Sequence, residues 1–301
     1  MTTLSGVWLP IVTPFLDGAV DFASYQRLLE YYLDLGVGGI FPLGTTGESP
    51  TLDDDESEAI VERTLAVVAG RIPVFVGVGG NATGKVLSTL RRLNRYDFTG
   101  IVSVCPYYNR PSQDGMAAHF RRIAEATDRK IVIYNIPYRT GVNLANDTLL
   151  ALAEQPNIVG VKDSSGNLVQ SLELLRRRPP GFAVMTGEDN FYYTMLAHGA
   201  DGGILASAHI ATPNFIDIHA RMLANDHHGA LRLWWRLEGL VALLFREANP
   251  MPLKYCLWRQ GLLRSPGCRL PLTQVSPELA AALDRAMGEL QEAASFADTK
   301  P

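Results

Sequence analysis

Apolar residues fall along the first three-quarters of the chain in short continuous runs separated by longer amphipathic stretches. The runs are Val7–Thr13, Gly39–Leu43, Pro73–Val78, Ile101–Val104, Ile131–Tyr134, Ile158–Val161, Ala183–Met185 and Gly203–Leu205. Each is brief, partly β-branched or aromatic, and unbroken instead of alternating, the pattern of strands covered on both faces. Between them, helical periodicity predicts Asp21–Leu35, Asp53–Ala69, Thr83–Arg95, Gln113–Thr127, Ala145–Glu154, Leu168–Arg177, Asn190–His198 and Pro213–Asn225. Asp53, with Glu56 three residues on, and Thr83, ahead of an apolar stripe, read as helix caps. Eight strand–helix units in a row, with no all-β or all-α interruption, predict an α/β fold of the (β/α)8 barrel type over an open doubly wound sheet.

Past Asn225 the strand signal stops. Gly229–Arg246, Pro252–Gly261 and Pro277–Ala294 read as three helices rich in Leu, Ala, Trp and Arg. The expected organisation is a catalytic barrel over residues 1–225 and a C-terminal helical region over 226–301. With no low-complexity linker between them, the helices are expected to pack on the barrel. Residues 297–301 are expected to fray.

Composition narrows the function classes. Of 301 residues, 47% are hydrophobic and 19% charged, enough for a large core and incompatible with intrinsic disorder. A net charge of -4 argues against a nucleic-acid or anionic-membrane partner. Cys105, Cys256 and Cys268 show no CxxC spacing, which fits a reduced, cytoplasmic protein and excludes a Cys-based zinc site. Met1–Asp17 lacks a basic stretch followed by an apolar one, so no secretory signal is expected, and no run approaches the ~18 apolar residues of a membrane span. The six histidines show no HxxxH or HExxH spacing, so no metal site is expected. Asp53-Asp54-Asp55-Glu56 is ordinary complementation of a helix N-terminus. Gly77-Val78-Gly79-Gly80-Asn81-Ala82 fits G-x-G-x-x-A, but Asp97 precedes the next strand where a dinucleotide fold needs its acid at that strand's end. No organic cofactor is expected either.

In such barrels chemistry sits on the loops after the strands. Those loops carry Gly44-Thr45-Thr46-Gly47-Glu48-Ser49, Pro106-Tyr107-Tyr108-Asn109-Arg110-Pro111, and Tyr134-Asn135-Ile136-Pro137 with Arg139 beyond. Lys162 is the sharpest signal. Against twenty-two arginines the chain has five lysines, and of these only Lys162 ends an apolar strand, placing its stem in the barrel mouth. There it is either a nucleophile, its amine freed by burial among aromatic rings, or a structural partner of Asp163 or Glu188. Schiff-base chemistry also needs proton relays, and Tyr134, Thr45 and Tyr108 converge on the same mouth, which favours the nucleophile.

Taken together, Gly44–Glu48, Tyr107–Pro111, Tyr134–Pro137, Gly160-Val161-Lys162, Glu247–Lys254 and Arg269-Leu270-Pro271-Leu272 resemble the class I pyruvate aldolase family. That family contains dihydrodipicolinate synthases and N-acetylneuraminate lyases, and the resemblance covers nearly the whole chain. Gly-Thr-Thr-Gly-Glu and Arg139 are similar to the synthase branch. The resemblance implies that Lys162 forms a Schiff base with pyruvate, that Tyr134 and Thr45 relay protons, and that Tyr108 completes the relay in a neighbouring subunit. It implies that Thr46 binds the pyruvate carboxylate, that Arg139 holds the carboxylate of an aldehyde partner, and that Gly187 and Ile204 line the pocket. A homo-oligomer follows: a tight dimer, paired into a tetramer. The implied reaction is condensation of pyruvate with L-aspartate 4-semialdehyde in lysine and diaminopimelate biosynthesis. The alternatives are cleavage of a 2-keto-3-deoxy sugar acid or N-acetylneuraminate, and a non-catalytic keto-acid binding protein. Tyr138 and Cys105 depart from the family pattern. An effector site for lysine would correspond to Ser49, Asp54, Ser57, Asn81, Lys85 and Tyr107, where Asp54, Ser57 and Lys85 replace two histidines and a glutamate and imply a degenerate site.

Overall fold

In the structure, a computed structural model, residues 4–298 are described, with side chains described to residue 290. Eight parallel strands make one sheet: β1 (Gly6–Leu9), β4 (Gly39–Ile40), β5 (Phe75–Gly77), β6 (Gly100–Val104), β7 (Lys130–Asn135), β8 (Ile158–Asp163), β9 (Ala183–Thr186) and β10 (Gly202–Ile204). Their order is β4-β1-β10-β9-β8-β7-β6-β5, and a parallel bridge between Ile40 and Val74 joins the two ends. The sheet is therefore a (β/α)8 barrel, and all eight predicted strands are present.

The alternation of strand side chains divides the core into two shells. Inward-facing Trp8, Phe41, Phe75, Val102, Val132, Tyr134, Met185 and Ile204 fill the barrel. Trp8 meets Phe75 edge-on at 5.3 Å, and a Cβ on Gly39 would lie 2.5 Å from the Trp8 ring, so only glycine lets β4 pass that indole. Outward-facing residues such as Leu9, Ile40, Val76, Ile101, Ile133 and Val161 join the apolar faces of the helices in a larger outer cluster.

The surrounding helices are α1 (Phe22–Asp34), α2 (Asp54–Val68), α3 (Thr83–Leu93), α4 (Gln113–Glu125), α6 (Asn146–Leu152), α7 (Leu168–Arg177), α8 (Tyr192–Ala197) and α9 (Thr212–Leu223). Asp53 makes the full capping box with Glu56. Thr83 does not cap α3: Ala82 takes that place, and the Thr83 hydroxyl bonds His119 Nδ1 at 2.9 Å instead. Several short elements lie outside the predicted set, among them a hairpin and a four-residue helix. The hairpin, β2 (Phe15–Leu16) and β3 (Ala19–Val20), turns at Asp17-Gly18, and the four-residue α5 (Pro137–Thr140) carries Arg139.

The C-terminal helices α10 (His227–Leu244), α11 (Met251–Arg259) and α12 (Pro277–Asp298) follow. Trp234, Leu237, Leu240, Leu244, Leu253, Leu257 and Leu283 belong to the same apolar cluster as the outer barrel shell. α12 includes residues 297 and 298, and the rest of the expected fraying tail lies outside the described residues. Among the described residues no helix is long and apolar enough to cross a membrane.

Candidate active site

Lys162 ends the apolar run of β8 and lies in register between Tyr134 of β7 and Met185 of β9. Parallel pairing therefore brings the amine and the phenol together on adjacent strands. The Lys162 Nζ sits 4.3 Å from the Tyr134 ring centroid and 5.4 Å from that of Phe41, and the residue is 5% exposed. The neighbouring carboxylates do not hold it. Asp163 accepts from the Ser165 N–H at 2.9 Å and the Ser171 hydroxyl at 2.5 Å, while Glu188 accepts only a long contact from the Asn190 side chain, 3.4 Å. Burial among rings lowers the Lys162 ammonium from its ordinary value to about 8, with Asp189 opposing that shift and Arg139 adding to it. Burial also pushes the Tyr134 phenol above its ordinary range.

Lys162 has room because the next strand is followed by glycine. A Cβ on Gly187 would stand 2.5 Å from Lys162 Cε, 2.8 Å from its Cγ and against the Ser164 hydroxyl. The inner pocket of about 20 Å³ around the amine is walled by Thr45, Thr46, Tyr134, Arg139, Gly187 and Ile204 together with Tyr138, Asp189 and Asn249. Outside it lies a vestibule of about 700 Å³ that shares Tyr138, Arg139, Phe245 and Asn249 as walls.

The Gly44–Glu48 loop is fastened from several sides. Thr13 donates to the Gly47 carbonyl at 2.7 Å, and the Asn249 amide donates to the Thr46 hydroxyl at 2.9 Å. Glu48, in the left-handed region at φ 53°, is buried with Lys254, whose Nζ donates to its Oε1 at 2.6 Å; the Arg269 N–H donates to its Oε2 at 2.9 Å.

Of the residues singled out in the sequence, Lys162, Tyr134, Thr45, Thr46, Arg139, Gly187 and Ile204 meet at one pocket, and Tyr108 does not. Tyr108 is 88% exposed at φ 74°, outside the walls of its own chain's pocket. A second cavity, about 430 Å³, runs behind Thr45, Tyr134 and Arg139 and is lined by Ser49, Asp54, Ser57 and Tyr107. Asn81 and Lys85 are not among its walls: the Asn81 carbonyl accepts from the Asn109 amide at 2.8 Å, and Lys85 is exposed.

A family model for the dihydrodipicolinate synthetase family matches residues 3–290. The chain belongs to that family. A 4-hydroxy-tetrahydrodipicolinate synthase 2 of Clostridium acetobutylicum is 48% identical over 94% of this chain and 99% of its own length. The dihydrodipicolinate synthase structure of Thermotoga maritima superposes with a TM-score of 0.93 at 36% identity, covering 95% of this chain and 98% of that one. A chloride-inhibited dihydrodipicolinate synthase of Acinetobacter baumannii, complexed with pyruvate, gives a TM-score of 0.93 at 36% identity, covering 96% and 99%.

Sequence reasoning missed Asp189, Asn249 and the Glu48–Lys254 pair as parts of this site. Asp189 is 2% exposed and accepts from both the N–H and the hydroxyl of Ser207, at 2.7 and 2.5 Å. The only hint in the sequence is an acid directly after Gly187-Glu188 at a strand end.

Proposed function

We propose that the chain is a Schiff-base lyase condensing pyruvate with L-aspartate 4-semialdehyde to 4-hydroxy-tetrahydrodipicolinate. The observation that carries this reading is a buried lysine amine, in no ion pair among the described residues, that lies close to the ring of Phe41 and to that of the buried phenol Tyr134. Family membership and the names of the relatives support it.

In this reading the neutral Lys162 amine attacks C2 of pyruvate, and Tyr134 with Thr45 moves the protons that let the carbinolamine lose water to an iminium. Thr46, its hydroxyl set by Asn249, receives the pyruvate carboxylate. Loss of a C3 proton gives an enamine, whose C3 bonds to the aldehyde carbon while the aldehyde oxygen takes a proton. The amino group of the new chain then attacks C2 and displaces the Lys162 amine, closing the ring. Arg139 holds the carboxylate of the incoming aldehyde, a bidentate task suited to guanidinium, and Gly187 and Ile204 shape the pocket. Tyr108, exposed on its own subunit, completes the relay of a neighbour, so the working form is a tight dimer, paired into a tetramer.

Borohydride trapping with pyruvate tests the first half: a mass adduct on wild type and none on Lys162→Ala. Turnover of aspartate semialdehyde against a 2-keto-3-deoxy sugar acid tests the second. A large preference for the sugar acid would replace the synthase reading with that of a sugar-acid aldolase. Absence of any adduct would leave a keto-acid binding protein.

A further inference from the structure

One buried hydroxyl beside the Lys162–Tyr134 pair has no partner. Ser164 follows β8 directly, and its N–H donates to the Asn135 carbonyl at 2.8 Å, so the pairing that joins Lys162 to Tyr134 runs on past the strand end. Alternation then turns the Ser164 side chain to the same side as Lys162. The two meet at Gly187, where a Cβ would lie 2.4 Å from Ser164 Oγ and 2.5 Å from Lys162 Cε. Ser164 is fully buried, and its Oγ has no hydrogen-bond partner among the described residues. The serines that follow are engaged: Ser171 donates to Asp163 at 2.5 Å, and the Ser165 hydroxyl lies 3.3 Å from that of Ser171. A buried hydroxyl left unpaired weakens a fold, so its presence at a reactive pocket asks for a chemical account.

The group within its reach is the Tyr134 phenol. Burial, and after it Tyr138, oppose negative charge on that oxygen, while hydrogen bonding from Ser164 and the Arg139 guanidinium favour it. Ser164 is not a wall of the inner pocket, so it meets Tyr134 and not the substrate. In the Schiff-base reading the Tyr134 O–H gives its proton to the carbinolamine hydroxyl, water leaves, and an iminium forms beside a phenolate. The phenolate then takes the C3 proton, the C3–H electron pair moves toward the iminium nitrogen to give the enamine, and the phenol is restored. Between these two steps a negative oxygen stands in a buried site. We propose that Ser164 is a positioning residue for this relay, its hydroxyl donating to the Tyr134 oxygen while that oxygen carries the charge. The proposal rests on the Schiff-base reading above and adds one hydroxyl to it. A contact that is open while the phenol is neutral and closes as charge develops favours the reacting state over the resting one.

The test is the rate of borohydride trapping with pyruvate in wild type, Ser164→Ala, Tyr134→Phe and the double variant. Ser164→Ala should trap at least ~10-fold more slowly, as a lost hydrogen bond to a charged group implies. The pyruvate concentration giving half the maximal rate should stay within about threefold of wild type, since substrate binding is untouched. The melting temperature should not fall, because the change removes an unpaired hydroxyl. In the Tyr134→Phe background the same change should slow trapping less than about twofold, because the oxygen that Ser164 serves is gone. A full-rate Ser164→Ala enzyme, an equal loss in both backgrounds or a marked drop in melting temperature would overturn the assignment and leave the Schiff-base reading intact. Wild type that forms no adduct would remove that reading, and this proposal with it.

Discussion

Lys254→Met removes one charge from the most deeply buried ion pair among the described residues and should destabilise the fold strongly. The Lys254 and Glu48 side chains are both 0% exposed, with Nζ 2.6 Å from Oε1. Methionine matches the length of the lysine stem and keeps its packing over Phe15, whose ring centroid is 4.3 Å from Nζ. What remains is a buried carboxylate supported by one N–H, that of Arg269 at 2.9 Å. Breaking one side of such a pair costs about 3–5 kcal/mol, whereas replacing both sides is often neutral. Urea melts should therefore show a loss of about 3–5 kcal/mol for Lys254→Met and recovery of most of it in Lys254→Met/Glu48→Gln. Because Glu48 anchors the loop bearing Thr45 and Thr46, pyruvate trapping should slow in the single variant even below its melting point. A loss under about 1 kcal/mol, or no recovery in the double variant, would refute the argument that the loop depends on a closed charge pair.

Tyr134→Phe should lower kcat by roughly 10²–10⁴-fold with little change in melting temperature, since the ring stays and only the relay is lost; a variant within a few-fold of wild type would reassign the relay. The rate of borohydride trapping should climb through pH 8 and level off above it. With Lys162 lowered to about 8, the neutral amine is about a tenth of the total at pH 7, and it becomes the main form once the pH passes that value. A rate still rising about tenfold per unit between roughly pH 9 and 10 would mean an unperturbed lysine. Gly187→Ala should abolish adduct formation while the protein stays folded, because the added methyl meets the Lys162 stem at 2.5 Å; normal trapping would show that the stem can move aside. Millimolar L-lysine should leave the steady-state rate unchanged. Lys85 replaces the acid expected to hold the effector's ammonium, and Asp54 is already paired with Arg92; clear inhibition below about 1 mM, roughly the strength of an intact charge-paired site, would contradict this.

The barrel is legible in the sequence because a strand covered on both faces must be apolar throughout, so each strand stands out as a continuous run. The hairpin escapes notice because its strands are two residues each, too short for any period to show, although Asp17-Gly18 is a turn pair. α5 escapes it because Pro137 opens only four residues, less than two turns. Thr83 imitates a cap because a threonine before an apolar stripe looks the same whether its hydroxyl turns back on the helix or across to His119 on α4. In the site, Lys162 is visible as a cation at the end of an apolar run, and Tyr134 as its neighbour in strand order. Asp189 is not visible there, and the choice between a free amine and a pair with Asp163 or Glu188 stays open in the sequence, because it depends on which carboxylates Ser207, Ser165 and Ser171 have already occupied.

The contacts that fix the Gly44–Glu48 loop span distances in the chain that no local pattern can register. Asn249 reaches Thr46 across 203 residues, Lys254 reaches Glu48 across 206, and Arg269 reaches Glu48 across 221. Arg269 also donates to both oxygens of Glu56, at 2.6 and 2.5 Å, and to the Gly18 carbonyl of the hairpin turn at 2.8 Å. One residue from beyond α11 thus ties together the hairpin, the capping box of α2 and, through its backbone, the acid that bends the Gly44–Glu48 loop. The strand signal ends near residue 225, but the site does not. A barrel cut there would keep Lys162 and Tyr134 and lose Asn249, Lys254 and Arg269, which together present Thr46 to the pocket. The segment added after the eighth unit is therefore part of the candidate site, because it supplies the Lys254 counter-charge and the Arg269 N–H that let a carboxylate be buried in a left-handed turn at the mouth.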